Sequence, residues 1–160
     1  MRHQAVNLRE CLVRDHVDDL EMSRVVNVRP NQTIRDTIKL MQRERVGCVL
    51  VQEDDRLCGI FTERDVVKRV LVAAQSLDEP VSSVMTASVN TLRLADSVAD
   101  VIRKMHTGGY RHMPVADTAG KVIGVISVKR VVHYLVDHFP TAIYNLPPDP
   151  DAIATTREGS

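Results

Sequence analysis

The sequence predicts an α+β fold in which two β-α-β-β-α repeats pack about a pseudo-twofold axis, with a helix before them and a flexible tail behind. Three observations predict it. Displaced by 65 positions, Gly59-Ile60-Phe61-Thr62 falls on Gly124-Val125-Ile126-Ser127. Displaced by 64, the run from Thr33 to Met41 falls on that from Ser97 to Met105, with Asp36 on Asp100, Ile38 on Ile102 and Met41 on Met105. Each copy also presents its apolar runs in the same order. The one extra residue is expected near Gly108-Gly109, where a loop tolerates it. Two copies at a period in the sixties point to paired half-domains rather than a solenoid, and a pseudo-twofold between halves creates a cleft.

Leu8, Leu12, Val13, Val17 and Leu20, separated by charges, have the period of an amphipathic helix over 8–20, expected to dock on the first repeat or on a partner subunit. The first repeat then reads as a strand at Val25-Val26-Asn27-Val28, a helix over 33–44, strands over 47–52 and 57–62, and a helix over 63–74. Pro30-Asn31 breaks the chain before Thr33, whose hydroxyl caps the helix while Asp36 returns the bond. Glu53-Asp54-Asp55-Arg56 is a polar hairpin between apolar strands. The second repeat reads as a strand near Val89, a helix over 97–106, strands over 112–116 and 121–127, and a helix over 128–138, with Asp117-Thr118-Ala119-Gly120 as its hairpin. The divisions are therefore 1–19 for the helical extension, 20–77 for the first repeat, 78–140 for the linker and second repeat, and 141–160 for a Pro-rich tail. In that tail Leu146-Pro147-Pro148-Asp149-Pro150 lacks amide donors and is expected to be extended or disordered.

A chain of 160 residues with 44% hydrophobic content builds a real core, and with 3% aromatics and no Trp that core is aliphatic. Lys plus Arg and Asp plus Glu number 21 each, so no bulk field attracts nucleic acid or an anionic membrane. No run of about 18 apolar residues is present, and Met1 to Glu10 lacks the apolar core of a secretion signal. With three cysteines, Cys48 and Cys58 inside apolar runs, this reads as a cytoplasmic protein with reduced thiols.

The chemistry concentrates at Gly59-Ile60-Phe61-Thr62-Glu63-Arg64-Asp65. Glycine lets another group approach the backbone, and Thr62 stands at a strand-to-helix turn beside unpaired amides that attract phosphate. Asp65, one turn on, is placed to accept from a ribose diol. The same Thr-x-x-Asp spacing is also a helix capping box, as at Thr33/Asp36 and Ser97/Asp100, and taken alone it favours that reading; the preceding Gly59 and the recurrence of Gly-x-x-Thr/Ser at Gly124/Ser127 shift the balance to a ligand. Glu63 in a first helical turn favours the dipole and needs no catalytic role. No histidine or cysteine spacing suits a metal, and no nucleophile elbow, Walker loop or Gly-x-Gly-x-x-Gly is present, so an enzyme is not expected.

Over residues 20–139 the doubled order and the Gly-x-x-Thr/Ser element resemble a tandem pair of cystathionine-beta-synthase (CBS) domains, a Bateman module. The resemblance implies an α/β-type CBS fold, and a cleft that binds AMP, ADP, ATP, S-adenosylmethionine or NAD. It implies Thr62 near phosphate, Asp65 on ribose, Ile60 near the base after Gly59, and basic residues from the second repeat, His112 and Lys129 with Arg111, reaching the phosphates. Asn90 is a base contact by the same analogy. The second copy departs from the pattern: Ser127 keeps the hydroxyl, but Arg130 replaces the acceptor. One nucleoside site is expected, not two.

The sequence thus points to a stand-alone regulatory sensor of an adenine nucleotide, AMP, ADP or ATP, that signals by conformational or oligomeric change. With no attached effector domain, its partners are a homodimer mate or an unidentified protein, and Val66, Val70, Val131 and Leu135 are candidate dimer-face residues. The rival readings are a ligand-free dimerisation module, a sensor of S-adenosylmethionine or NAD, and an enzyme acting on nucleotides.

Overall fold

A computed structural model describes residues 7–140 and residue 143. The expectations for Met1 to Val6 and for Leu146 to Pro150 lie outside the described residues. The chain begins with α1 (Leu8–Arg14) and a 3₁₀ turn at Val17–Asp19. The first repeat contains β1 (Asn27–Val28), α2 (Ile34–Glu44), β2 (Cys48–Glu53), β3 (Arg56–Thr62) and α3 (Glu63–Asp65), which continues as a π-helix over Val66–Leu71. A 3₁₀ turn at Val81–Ser83 leads to the second repeat: β4 (Leu92–Arg93), α4 (Val98–Gly108), β5 (His112–Ala116), β6 (Val122–Ser127) and α5 (Val128–His138).

Each repeat forms a three-stranded mixed sheet, β1-β2-β3 and β4-β5-β6, in which the first pair is parallel and the second an antiparallel hairpin. Cys48 to Val51 are all buried because the sheet is covered on both faces, which is why the run is continuously apolar. Ile34, Val49, Phe61 and Val70 form the first core, and Leu92, Val98, Ile126 and Val131 the second. Between the sheets Cys48, Leu50, Ile60, Val122 and Val125 make a third cluster that joins the repeats face to face.

The helix expected over 8–20 divides, and it docks elsewhere. Asp15 and His16 leave the helix, Val13 is exposed, and Cys11, Val17 and Leu20 pack into the second core. The reason is a swap. Val17–Asp19 stands 64 residues before Val81–Ser83, and the two 3₁₀ turns do equivalent work. Val98 donates its amide to the Asp15 carbonyl at 2.9 Å, just as Ile34 donates to the Glu79 carbonyl at 2.9 Å. The extension therefore completes the second repeat while the linker completes the first. Linker carbonyls satisfy the first amides of α2, and Thr33 caps the Asp36 amide, but Asp36 does not return the bond.

Two further expectations shift. Val89 packs between the sheets opposite Val25, and the strand proper starts at Leu92, where the chain first reaches the ladder. The extra residue is not near Gly108-Gly109. Cys48 and His112, which open β2 and β5, still stand 64 apart, whereas Gly59 and Gly124, paired with Val51 and Val115, stand 65 apart. The insertion lies in the second hairpin. The first hairpin turns at Asp54 and Asp55, both at positive φ, while the second needs Asp117 through Gly120. Of the suggested dimer-face residues, Val70 and Val131 are core and Val66 and Leu135 pack against it.

Candidate functional site

A cavity of about 280 Å³ opens where the turn between β3 and α3 faces the start of β5. Ile60, Thr62 and Asp65 line one wall, Tyr110, Arg111 and His112 the other, and Asn90 a rim. These elements meet because Gly47 and His112, the entries to the two hairpins, abut: the His112 Nε2 lies 3.0 Å from where a Gly47 Cβ would sit. Arg64 donates across the junction to the Gly109 carbonyl at 2.8 Å.

Asp65 is buried and held by a complete capping box. Its Oδ2 accepts from the Thr62 amide at 2.9 Å and the Thr62 hydroxyl at 2.7 Å, while its own amide donates to Thr62 Oγ1 at 3.3 Å. Its Oδ1 faces Arg69 Nε at a longer 3.4 Å. A carboxylate has about four acceptor positions, so Oδ1 retains capacity for a hydroxyl donor. Thr62, in contrast, has committed its proton to Asp65. Thr62 thus shapes the pocket, and donation to an anion here falls to Arg64, Lys68, Arg69 and Arg111, which also line it.

His112 is half-buried, and desolvation pulls its pKa below 6.5 despite the opposing pull of the Glu63 carboxylate, with Arg111 and Arg64 adding to the depression. Asn90 Nδ2 donates to the Tyr110 hydroxyl at 2.5 Å, so these two side chains act as a unit.

Two expected site residues lie elsewhere. Gly59 does not line the cavity, since the group that approaches its backbone is Met85, with the Thr86 carbonyl 3.0 Å from a would-be Cβ. Gly124 is covered in the same way by Met22. Lys129 lines a second cleft of about 420 Å³ around Ser127 and Arg130, which shares only Gly47, Arg111 and His112 with the first. Sequence reasoning missed Tyr110, Arg64, Lys68, Arg69 and Thr86. Tyr110 adjoins the Arg111-His112 pair already singled out, and Arg64 and Lys68 are four apart on one helical face, which was the available signal.

One group of potential metal-binding side chains lies outside the clefts: His16, Asp18 and Asp19 have ligand atoms within 4.8 Å of one another on the exposed 3₁₀ turn. Asp19 there accepts from the His16 amide at 2.8 Å, a capping bond. Cys48 is buried and its pKa is pushed up to about 12, so its thiol is inert packing material. No helix among the described residues is long and apolar enough to cross a membrane.

The CBS domain family profile matches residues 17–72 and 81–137, each match starting at a 3₁₀ turn. An uncharacterised 17.7 kDa protein of Acidianus ambivalens is 32% identical over 122 residues, covering 76% of this chain and 73% of that one. The Arabidopsis thaliana CBS domain-containing protein CBSCBSPB1 is 31% identical over 115 residues, 71% of this chain but only 21% of its own length. A crystal structure of a CBS-domain-containing protein from Agrobacterium tumefaciens is 34% identical, covers 74% of this chain and 97% of its own, and superposes with a TM-score of 0.67. Three structures at 19%, 22% and 23% identity share the fold with TM-scores of 0.69, 0.65 and 0.64; they hold, respectively, 5-methylthioadenosine with S-adenosylmethionine, AMP, and ATP. They cover 77%, 78% and 79% of this chain and 97%, 98% and 52% of their own.

Proposed function

The chain belongs to the CBS domain family, and from that premise we propose that it is a regulatory pair that binds an adenine nucleotide, AMP, ADP or ATP, in the cleft around Asp65. The observation that carries the reading is the buried Asp65 carboxylate, oriented by Thr62 with Oδ1 still able to accept, in a cleft that Arg64, Lys68 and Arg69 line from its own helix and Arg111 from the facing wall. A ribose diol supplies the donors that such a carboxylate takes, and the cations take phosphate. The ligands of the three more distant folds have adenosine in common, which supports this class. A volume of about 280 Å³ lies just below the range of small-molecule pockets, roughly 300–1,000 Å³, and favours a mononucleotide over NAD.

Because the walls come from different repeats, a bound nucleotide favours one relative arrangement and so biases an outer surface. Its role is binding rather than turnover, with Ile60 and Asn90 beside the base and Arg111 and His112 at the phosphate end. Free thiols at Cys11, Cys48 and Cys58 fit a reducing compartment such as the cytoplasm. A second copy of the chain is its expected partner: Val67, Leu71 and Val72 at 54%, 67% and 78% exposure, with Val128 and Val132, leave apolar helix faces open on both repeats. Light scattering on Leu71→Glu, with a fall to monomer expected, tests that face.

Calorimetric titration of AMP, ADP, ATP, S-adenosylmethionine and NAD tests the ligand. One nucleotide per chain is expected, lost in Asp65→Asn and kept in Asp100→Ala. Asp100 serves as the control because it shares a hydroxyl bond with Ser97 at 2.8 Å as Asp65 does with Thr62. Failure of every compound to bind folded wild type would refute the reading.

A further inference from the structure

We propose that the second cleft, around Ser127 and Arg130, is a separate site for a small phosphate-class oxyanion and takes no nucleoside. It goes beyond the nucleotide reading and does not depend on it. Arg24, Arg45, Arg111, Lys129 and Arg130 line this cleft with His133, and among the described residues no carboxylate lines it, whereas Glu63 and Asp65 both line the first.

Two substitutions between the repeats produce this. Arg130 occupies the place of Asp65, which removes the acceptor that a ribose diol needs and supplies donors instead. Arg45 occupies the place of Gly109, 64 residues on. Both end an eleven-residue helix in the left-handed region, Gly109 at φ 65° and Arg45 at φ 53°, ψ 45°. That backbone suits glycine and disfavours arginine, so an Arg held there beside four other cations is a strained residue at a functional position.

The nearest acids are peripheral. Glu44 pairs with Arg24 at 2.5 Å and Glu21 pairs with Arg130. Neither acid lines the cleft; Glu44, 23% exposed and bonded also to Arg43, holds Arg24 firmly, whereas Glu21 is 72% exposed, so at Arg130 an incoming oxyanion competes with a weak, hydrated partner. Arg45, Arg111 and Lys129 form no salt bridge among the described residues. The three cations without a carboxylate, Arg45, Arg111 and Lys129, are open to an anion, and the forked guanidinium donors match an oxyanion's acceptors.

Inorganic pyrophosphate is the probe, titrated calorimetrically at about 0.15 M salt to limit unspecific attraction. Wild type is expected to bind one per chain, also when saturated with AMP. Arg45→Gly is expected to weaken it roughly tenfold or more while raising the thermal midpoint, because the variant relieves the backbone as it removes a donor. Arg130→Asp is expected to abolish it. Asp65→Asn is expected to lose AMP and keep pyrophosphate, so the two readings fail separately. Equal pyrophosphate binding in wild type, Arg45→Gly and Arg130→Asp would overturn the proposal. So would displacement of pyrophosphate by AMP, which would make this cleft the tail end of the nucleotide site.

Discussion

In the first repeat the strand-to-helix turn carries Thr62 and Asp65; in the second it carries Ser127 and Arg130, on nearly the same backbone. Both hydroxyls accept the amide three residues on, at 3.3 Å in each case. Capping the helix therefore needs only the hydroxyl, and α5, with no acidic partner, runs regularly through eleven residues. The first helix, which has the complete box, passes into π geometry after three. What the carboxylate adds is thus chemical: a buried acceptor pointed at a cleft, where the second repeat has a donor. The largest expected effect follows from removing it. Asp65→Asn keeps an oxygen for capping but loses one acceptor, and should weaken adenine nucleotide binding on the order of 100-fold, one charge-assisted bond's worth, with little loss of thermal stability. Arg130→Ala should leave that affinity unchanged, and equal losses in both variants would erase the distinction.

The glycines compare differently. Gly59 and Gly124 stand at matching places, and each is roofed by a methionine from the other half's entry segment, Met85 over Gly59 and Met22 over Gly124. Gly59→Ala also meets the Thr86 carbonyl at 3.0 Å, and that backbone is fixed by paired bonds between Ile60 and Thr86 at 2.9 Å. Gly59→Ala should destabilise the fold by about 1–3 kcal/mol in urea titration, with Met85→Ala restoring part of it. Gly124→Ala meets Met22 Sδ at 2.8 Å and Met22 Cβ at 3.0 Å, and should cost less, since its nearest contact is looser than Met85 Sδ over Gly59 and no carbonyl is among its nearest atoms. A larger loss in Gly124→Ala would reverse that order.

Each repeat is clamped by an acidic side chain from its swapped segment, but the first pair, Arg35 with Asp78 at 3.1 Å, is exposed, whereas Asp15 in the second is 17% exposed. The Tyr134 hydroxyl donates to Asp15; burial and then this bond hold the tyrosine pKa up, and the bond, with Arg14, holds the aspartate pKa down. Tyr134→Phe should cost about 1 kcal/mol, near the mean for a hydrogen bond. Since the Asp15 pKa is below 3.8 in the fold, its contribution is present above that pH and is lost as pH falls through the lowered value. The difference in stability between wild type and Asp15→Asn should therefore be constant from pH 7 to 5 and shrink below about 3.8. A difference that shrinks already by pH 5 would remove Asp15 from this role.

The repeats were legible because one period fixes both strand-to-helix turns and both long helices, and α5 falls on its expected bounds. The swap was not. Val17 and Val81 are a repeat pair, but a three-residue turn has no periodicity to betray it, and an amphipathic face says only that something apolar covers it. The position of the extra residue was ambiguous because a hairpin tip buries nothing. Thr62, Asp65, Arg111 and His112 were readable from their clustering in sequence, while Lys129 was assigned across the axis and lies on the other side. Glycine at 59 signalled a close approach correctly, yet sequence gives the space and not its occupant.

The shared wall offers the finest comparison, since His112 lines both clefts. Burial lowers its pKa below 6.5, so the empty fold favours the neutral ring at pH 7, a contribution present above pH 6.5 and lost as pH falls through the lowered value. A bound phosphate favours the imidazolium instead. Affinity at this wall should therefore be flat between pH 8 and 7 and rise only below 6.5, by no more than about tenfold per pH unit. Phosphate protonation works the other way in the same range, so the ratio of wild-type to His112→Gln affinity isolates the ring. If that ratio rises below pH 6.5 for AMP but not for pyrophosphate, His112 serves the Asp65 cleft alone, and the asymmetry between the repeats extends to the wall they have in common. A ratio that is flat for both ligands would leave His112 as packing over Gly47.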